Sequence, residues 1–215
     1  MAHQGRGAGV RRLRVLLPLL AGAVAGMAIV AAPAQAQFSQ GYQFLDAVKK
    51  KEGQKVEDAL SLPGSTIINT RDVTTGETAL HIVTQRRDTT WLVFLIAKGA
   101  NVNVRDARGV TPLQLASNLG WLDGVEMLVA KKARVDDAND AGETPLIFAV
   151  HRRDIPMMRV LLKAGADPDR KDNSGRSARD YATVDGRSGP LVAEIEASAK
   201  PKSQRGGAAT YGPTF

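Results

Sequence analysis

Four glycines, Gly76, Gly109, Gly142 and Gly175, stand 33 residues apart, and each opens a similar phrase: GETALHIV, GVTPLQLA, GETPLIFA and GRSARDYA. A fixed period of this size confines a chain to a repeat array, in which one supersecondary unit recurs and each copy buries its apolar face only against its neighbours. The residues of the phrase describe the unit. Gly tolerates the positive φ of a tight turn. Thr78, Thr111, Thr144 or Ser177 follows two positions on as an N-cap hydroxyl, and Pro112 or Pro145 then takes the first helical position, where no N–H is missed. A short helix must start there. Small residues at Ala116 and Ala149 let a second helix approach, and that helix is written by WLVFLIAKGA, GVEMLVAKKA and MMRVLLKAGA. Gly99 and Gly165 end it in the left-handed conformation, whereas the middle unit places Lys132 there, which predicts a looser and less stable turn.

The period divides the chain into units at 71–104, 105–137 and 138–170. Residues 37–70 keep a helix pair but lack the threonine start, which suits an N-terminal cap. Residues 171–199 carry Arg, Asp and Glu at some apolar positions, as a C-terminal cap facing water should. RDVTTG before the first full unit is one residue longer than RDARG before the second, so the first hairpin should be longer. Residues 200–215 have too few apolar side chains to fold and are expected to form a flexible, disordered tail.

Residues 1–36 read differently. Arg6, Arg11, Arg12 and Arg14 precede an apolar run, VLLPLLAGAVAGMAIVAAP, and AQA closes it with Ala34 and Ala36. This is the layout of a secretory signal peptide with cleavage before Gln37. The alternative, an uncleaved membrane anchor, is weakened by Pro18, Gly22 and Gly26 and by the A-x-A site. Arg11-Arg12 leaves a twin-arginine route open beside general secretion. The expected location is the periplasm, with no stable membrane insertion once the leader is gone. Its loss also takes four of the 29 Lys and Arg, leaving 25 against 22 acids, so the basic balance gives no case for nucleic acid. With no Cys there is no disulfide framework and no thiolate site in an oxidising compartment.

GVTPLQLA, TALH from Thr78 to His81, KGANVNVRD from Lys98 to Asp106 and AGADPDRKD from Ala164 to Asp172 together resemble ankyrin repeats. The resemblance covers roughly residues 70 to 180 directly. It implies an all-α repeat solenoid of ankyrin helix-turn-helix units joined by β-hairpin loops. It also places His81 where a His hydrogen-bonds between neighbouring turns, and it makes the hairpin tips and first helices a concave, protein-binding surface. Carried onto this chain, the variable positions there are Thr74, Thr75, Glu77, Gln85 and Arg86, then Ala107, Arg108, Val110, Asn118 and Leu119, then Asp140, Glu143, His151 and Arg152. A row of Arg86, Arg108, Arg152 and Arg176 down one face would steer an acidic protein partner. The alternative use of such a row is binding anionic envelope material, lipid head groups or cell-wall polymer.

Catalysis has little to stand on. His81 and His151 are seventy residues apart, the first expected to be structural and the second exposed. The acidic stretch DDANDAGE matches a calcium loop at Asp137, Asn139 and Gly142 but puts Ala141 and Phe148 where ligands belong. No nucleophile elbow, zinc-binding helix or phosphate loop occurs. Trp91 is expected in the core, and Trp121, in the helix-helix loop, partly exposed. The chain is thus expected to be a monomeric, non-catalytic binding module without cofactor or metal.

Overall fold

The structure, a computed structural model, describes residues 32–62, 65–184 and 189–205. Among these residues the elements are α1 (Ala32–Lys50), α2 (Gly53–Ser61), α3 (Ala79–Gln85), α4 (Thr89–Ala97), α5 (Pro112–Leu119), α6 (Leu122–Ala130), α7 (Pro145–His151), α8 (Ile155–Ala164), α9 (Ala178–Val184) and α10 (Gly189–Ser198), with 3-10 turns at Ile67–Asn69 and Lys202–Gln204. Residues 1–31, most of the expected leader, and the last ten residues lie outside the described region, and the expected cleavage point before Gln37 falls within α1.

The helices form two layers. α1, α3, α5, α7 and α9 pack one on the next, and α4, α6, α8 and α10 stack behind them. Leu80, Leu92, Leu95, Leu113, Leu128, Leu146 and Leu161 are fully buried between the layers, each worth roughly 1.5–3 kcal/mol of transfer free energy. This is the all-α repeat solenoid that the period requires.

Thr111 and Thr144 cap α5 and α7, their hydroxyls accepting from the backbone N–H of Gln114 and Ile147 at 3.3 Å. Between the repeats, each hairpin tip is an Asx turn. Asp106 Oδ1 accepts from the N–H of Arg108 and Val110, Asn139 Oδ1 from Ala141 and Glu143, and Asp172 Oδ1 from Ser174 and Arg176. The first hairpin closes from Asp72 to Glu77, against Asp106 to Val110 in the second, so it is one residue longer.

The tryptophans exchange the environments expected of them. Trp121 is buried, its ring so close to Gly124 that a Cβ there would lie 2.1 Å from Trp121 Cε3. A helical glycine is the space this ring occupies. Trp91 is only half-buried, on the outer layer with Phe94 edge-on at 5.7 Å. The start of the tail also departs from expectation. Lys202–Gln204 form a turn, and Arg205 Nη1 reaches Asp167 Oδ1 at 3.0 Å and Asp169 Oδ2 at 2.6 Å. Two carboxylates at the last loop are enough to hold one guanidinium.

Behind the hairpins, a second ladder ties each loop to the next. Asn69 Oδ1 accepts from the N–H of Asn101, Asn103 Oδ1 from Arg134 and Asp136 Oδ1 from Asp167, at 2.8 to 2.9 Å. Asp136 does with a charge what the asparagines do without one. Burial pushes its carboxyl up to about 6, against the hydrogen bond from Asp167, which lowers it. Its other oxygen has no hydrogen-bond partner.

Lys132 holds φ 65°, a conformation its equivalents Gly99 and Gly165 adopt without a Cβ, so Lys132→Gly should raise stability in urea unfolding by ~1 kcal/mol. An unchanged midpoint would show that Lys132 carries no strain. Asp136→Asn should also stabilise, in a pH-dependent way. With the folded carboxyl near 6 and its ordinary value 3.8, the wild type carries no penalty below pH 3.8 and loses stability as pH rises through 6. The gap between variant and wild type should open over that interval to ~2–3 kcal/mol above pH 7. A gap independent of pH would contradict it.

Candidate functional site

The first-helix face is assembled by backbone contacts between hairpins. The N–H of Ala107 donates to Thr75 O at 2.9 Å, Asp140 to Arg108 O at 3.2 Å and Asn173 to Ala141 O at 3.0 Å. The hairpins come so close that a Cβ on Gly76 would stand 2.6 Å from Ala107 N and one on Gly142 2.7 Å from Asn173 N, and both glycines have positive φ. Two side chains fasten the same seams. His81 Nδ1 accepts the N–H of Thr78 at 3.1 Å, so the proton sits on Nε2, which donates to Val110 O at 3.0 Å. Burial lowers the His81 pKa and keeps the ring neutral for this double role. One unit on, Gln114 Oε1 accepts from Thr111 N–H while Nε2 donates to Asp137 O and Glu143 O, both at 2.9 Å. The tips are therefore held in register, and their side chains recur along one surface.

Most of the candidate residues lie on this surface, but not all are free. Thr74, Thr75, Gln85, Asn118 and His151 are exposed. Arg108 is also open, 75% exposed at its side chain and paired only with Asp106 at 3.3 Å. Val110, Leu119 and Glu143 are half-buried. The Val110 carbonyl takes the bond from His81, and Glu143 Oε2 that from Asn139 Nδ2 at 2.9 Å.

The arginine row needs correction. Arg86 Nη1 donates to Val48 O at 2.6 Å and Lys49 O at 3.1 Å, the last turn of α1. Arg152 Nη1 donates to Asn118 O at 3.3 Å, the end of α5. The last carbonyls of a helix lack intrahelical partners and carry partial negative charge, so a guanidinium is drawn to them. Arg87, absent from the sequence expectation, supplies the same bond to Leu119 O at 2.6 Å. These arginines join neighbouring repeats, and they do not form an uncommitted basic stripe. The signal that could have shown it is their place: Arg86-Arg87 and Arg152-Arg153 end their first helices, within reach of the preceding or following helix end.

His151 has a neighbour that sequence reasoning missed. Its ring lies 4.4 Å from that of Tyr181, with the Arg176 guanidinium 5.8 Å from the same tyrosine ring. The Tyr181 hydroxyl donates to Asp172 Oδ2 at 2.7 Å. Desolvation pushes the Asp172 carboxyl up, but bonds from Tyr181, Ser174 and the Arg176 N–H outweigh it and hold it at about 2. The result is a rigid, mixed aromatic and basic patch on the last two units. Among the described residues no group of three or more His, Asp or Glu side chains could hold a metal ion.

Comparison with known proteins points to one family. The family model for Ankyrin repeats, in three copies, matches residues 44–139 and 80–172. The chain is 32% identical over 108 residues to B-cell lymphoma 3 protein homolog of Mus musculus, covering 48% of this chain and 24% of that protein. It is 34% identical over 111 residues to Neurogenic locus notch homolog protein 1 of Danio rerio, covering 51% of this chain and 5% of that one. It is also 33% identical over 97 residues to Ankyrin repeat domain-containing protein 63 of Homo sapiens, covering 43% and 26%. The chain thus spans about a quarter or less of these relatives.

The clamps are testable apart from any partner. Arg86→Ala should cost about 1–3 kcal/mol, because two carbonyls at the end of α1 lose a charged donor. Arg152→Ala should cost less, its single bond being longer and exposed, and Arg108→Ala should stay within ~0.5 kcal/mol. Urea unfolding of the three variants checks the order, and an Arg86→Ala protein as stable as wild type would remove the clamp.

Proposed function

The chain belongs to the ankyrin-repeat family, and we propose that it is a non-catalytic protein-binding module whose partner lies along the hairpin tips and first helices. The observation that carries this reading is the register of the hairpins, fixed by the backbone bonds from Ala107, Asp140 and Asn173. Rigid presentation of exposed side chains lowers the entropy lost on binding. Thr75, Arg108, Asn118 and His151 stand outward on this scaffold, while His81, the other histidine of the repeats, is spent on the seam. Export belongs to the same proposal: residues 1–36 carry the leader pattern, and the protein works as a periplasmic monomer. No helix among the described residues is long and apolar enough to cross a membrane. Arg108 and Arg176 are exposed on this surface and not tied to a neighbouring helix end, so an acidic patch on the partner fits it. Binding of anionic envelope polymers along an arginine stripe has less support, since Arg86 and Arg152 are committed to helix ends.

Protein recovered from the periplasm should begin at Gln37, and affinity capture from envelope extract followed by mass spectrometry should return a defined protein. That partner should be lost by a Thr75→Trp, Arg108→Glu, His151→Glu variant that melts with the wild type, and kept by Val93→Glu on the outer layer. Capture abolished by Val93→Glu and untouched by the triple variant would move the site to the outer helices.

A further inference from the structure

Two features of the sequence lie away from the hairpin surface: the lysine that replaces a glycine at position 132, and the acid pair Asp136-Asp137. The fold brings them together. Lys132, Arg134, Asp136 and Asp137, from the loop after α6, line one open cavity of about 480 Å³ with Arg170 of the next loop and Lys200 beyond α10. It lies on the loop side, behind the hairpins.

The walls are chemically unsatisfied in two opposite senses. Asp136 is 8% exposed, and its Oδ2, like Asp137 Oδ2, is buried without a hydrogen-bond donor. Arg134 comes only within 3.8 Å of the Asp137 carboxylate. Lys132, Arg170 and Lys200 make no side-chain hydrogen bond or ion pair with the described residues. Two carboxylates whose buried Oδ2 atoms lack donors, and three cations without a close anion, Arg170 acting on Asp136 only through space, therefore line one cavity. A buried polar group without a partner is unfavourable and calls for one.

The repeats themselves supply the control. One period earlier, Gly99, Asn101, Asn103 and Val104 occupy the places of Lys132, Arg134, Asp136 and Asp137, and Asn103 makes the same backbone bond as Asp136. The fold needs neither the left-handed lysine nor the buried charge. Costly departures from local rules that converge on one cavity mark a functional site.

We propose that this cavity binds a small zwitterion in which an N–H-bearing ammonium accompanies a phosphate, the ammonium donating to Asp136 and Asp137 and the phosphate meeting Lys132, Arg170 and Lys200. A metal ion does not suit it, because three uncommitted cations surround the carboxylates. A neutral ligand leaves both sets unsatisfied. The volume lies within the range of small-molecule sites. The same chemistry exists free in solution and as a lipid headgroup, and the site is independent of the hairpin surface.

Titration calorimetry with phosphoethanolamine and phosphocholine separates the two halves of the ligand. Both carry the phosphate and a positive charge, but trimethylammonium has no N–H to donate. Phosphoethanolamine should bind at least about tenfold tighter, the worth of a hydrogen bond to a charged group. Lys132→Gly and Asp136→Asn are expected to keep or improve folding, and with urea midpoints at or above that of the wild type a loss of binding in them does not report unfolding. Lys132→Gly should weaken both probes by about fivefold to tenfold through loss of one cation, and Asp136→Asn should abolish the preference between them. Sedimentation with phosphatidylcholine vesicles, with and without phosphatidylethanolamine, identifies the source: retention only on the mixed vesicles means a headgroup, and no retention with calorimetric binding means the free compound. Absence of saturable phosphoethanolamine binding, equal affinity for phosphocholine, or wild-type binding in both variants would each overturn the proposal.

Discussion

Each repeat leaves hydrogen-bonding groups at its hairpin that its own helices cannot reach, and the array exists because the neighbouring repeat can. The tip-to-tip bonds from Ala107, Asp140 and Asn173 repeat the connection at every full seam. Their geometry demands glycine, since a side chain at Gly76 or Gly142 would collide with the next backbone. Each of these bonds spans 32 residues, one short of the period of 33, so the period sets every donor against an acceptor on the neighbouring hairpin.

Side chains reinforce the seams unequally. His81 and Gln114 each bridge to the following hairpin, but the same place in the third unit is Ile147, which cannot donate. There Asn173 acts from the other side, its Nδ2 donating to Asp140 O at 2.8 Å. The C-terminal end adds charged contacts, with Arg159 held by Glu194 at 2.6 and 3.0 Å and Arg205 by Asp167 and Asp169. Asp169 is the place where a further unit would be engaged by a backbone N–H, as Asp136 engages Asp167. An arginine from beyond the last helix takes that role, so the array ends on a charge pair and a polar face.

The fold was legible because it rests on short-range chemistry that a sequence states openly. Thr111-Pro112 and Thr144-Pro145 mark helix starts, Gly99 and Gly165 mark ends, and the extra residue in RDVTTG lengthens one hairpin. The surface was legible only as a set of positions. Whether Arg86 faces a partner or the carbonyl of Val48 depends on where α1 ends relative to α3, which is a matter of packing between units. Trp121 and Trp91 failed in the same way. Both lie in or near second helices, and their burial is decided by a glycine four residues or fewer away or by the spacing of the outer layer.

A repeat protein offers an unusual argument about its own residues, because each unit shows how the same structural task can be done otherwise. Gly99 and Gly165 turn the chain where Lys132 does so under strain, and Asn103 supports the next loop where Asp136 must keep a carboxyl out of water. Neutral drift could account for one such departure, since a single exposed turn residue costs little. It accounts less well for two in the same loop that line one cavity, one of them a carboxylate with an oxygen left without a donor. The interior of the array is read from what its units share, and the places that set this chain apart are read from what one unit does not share with the next.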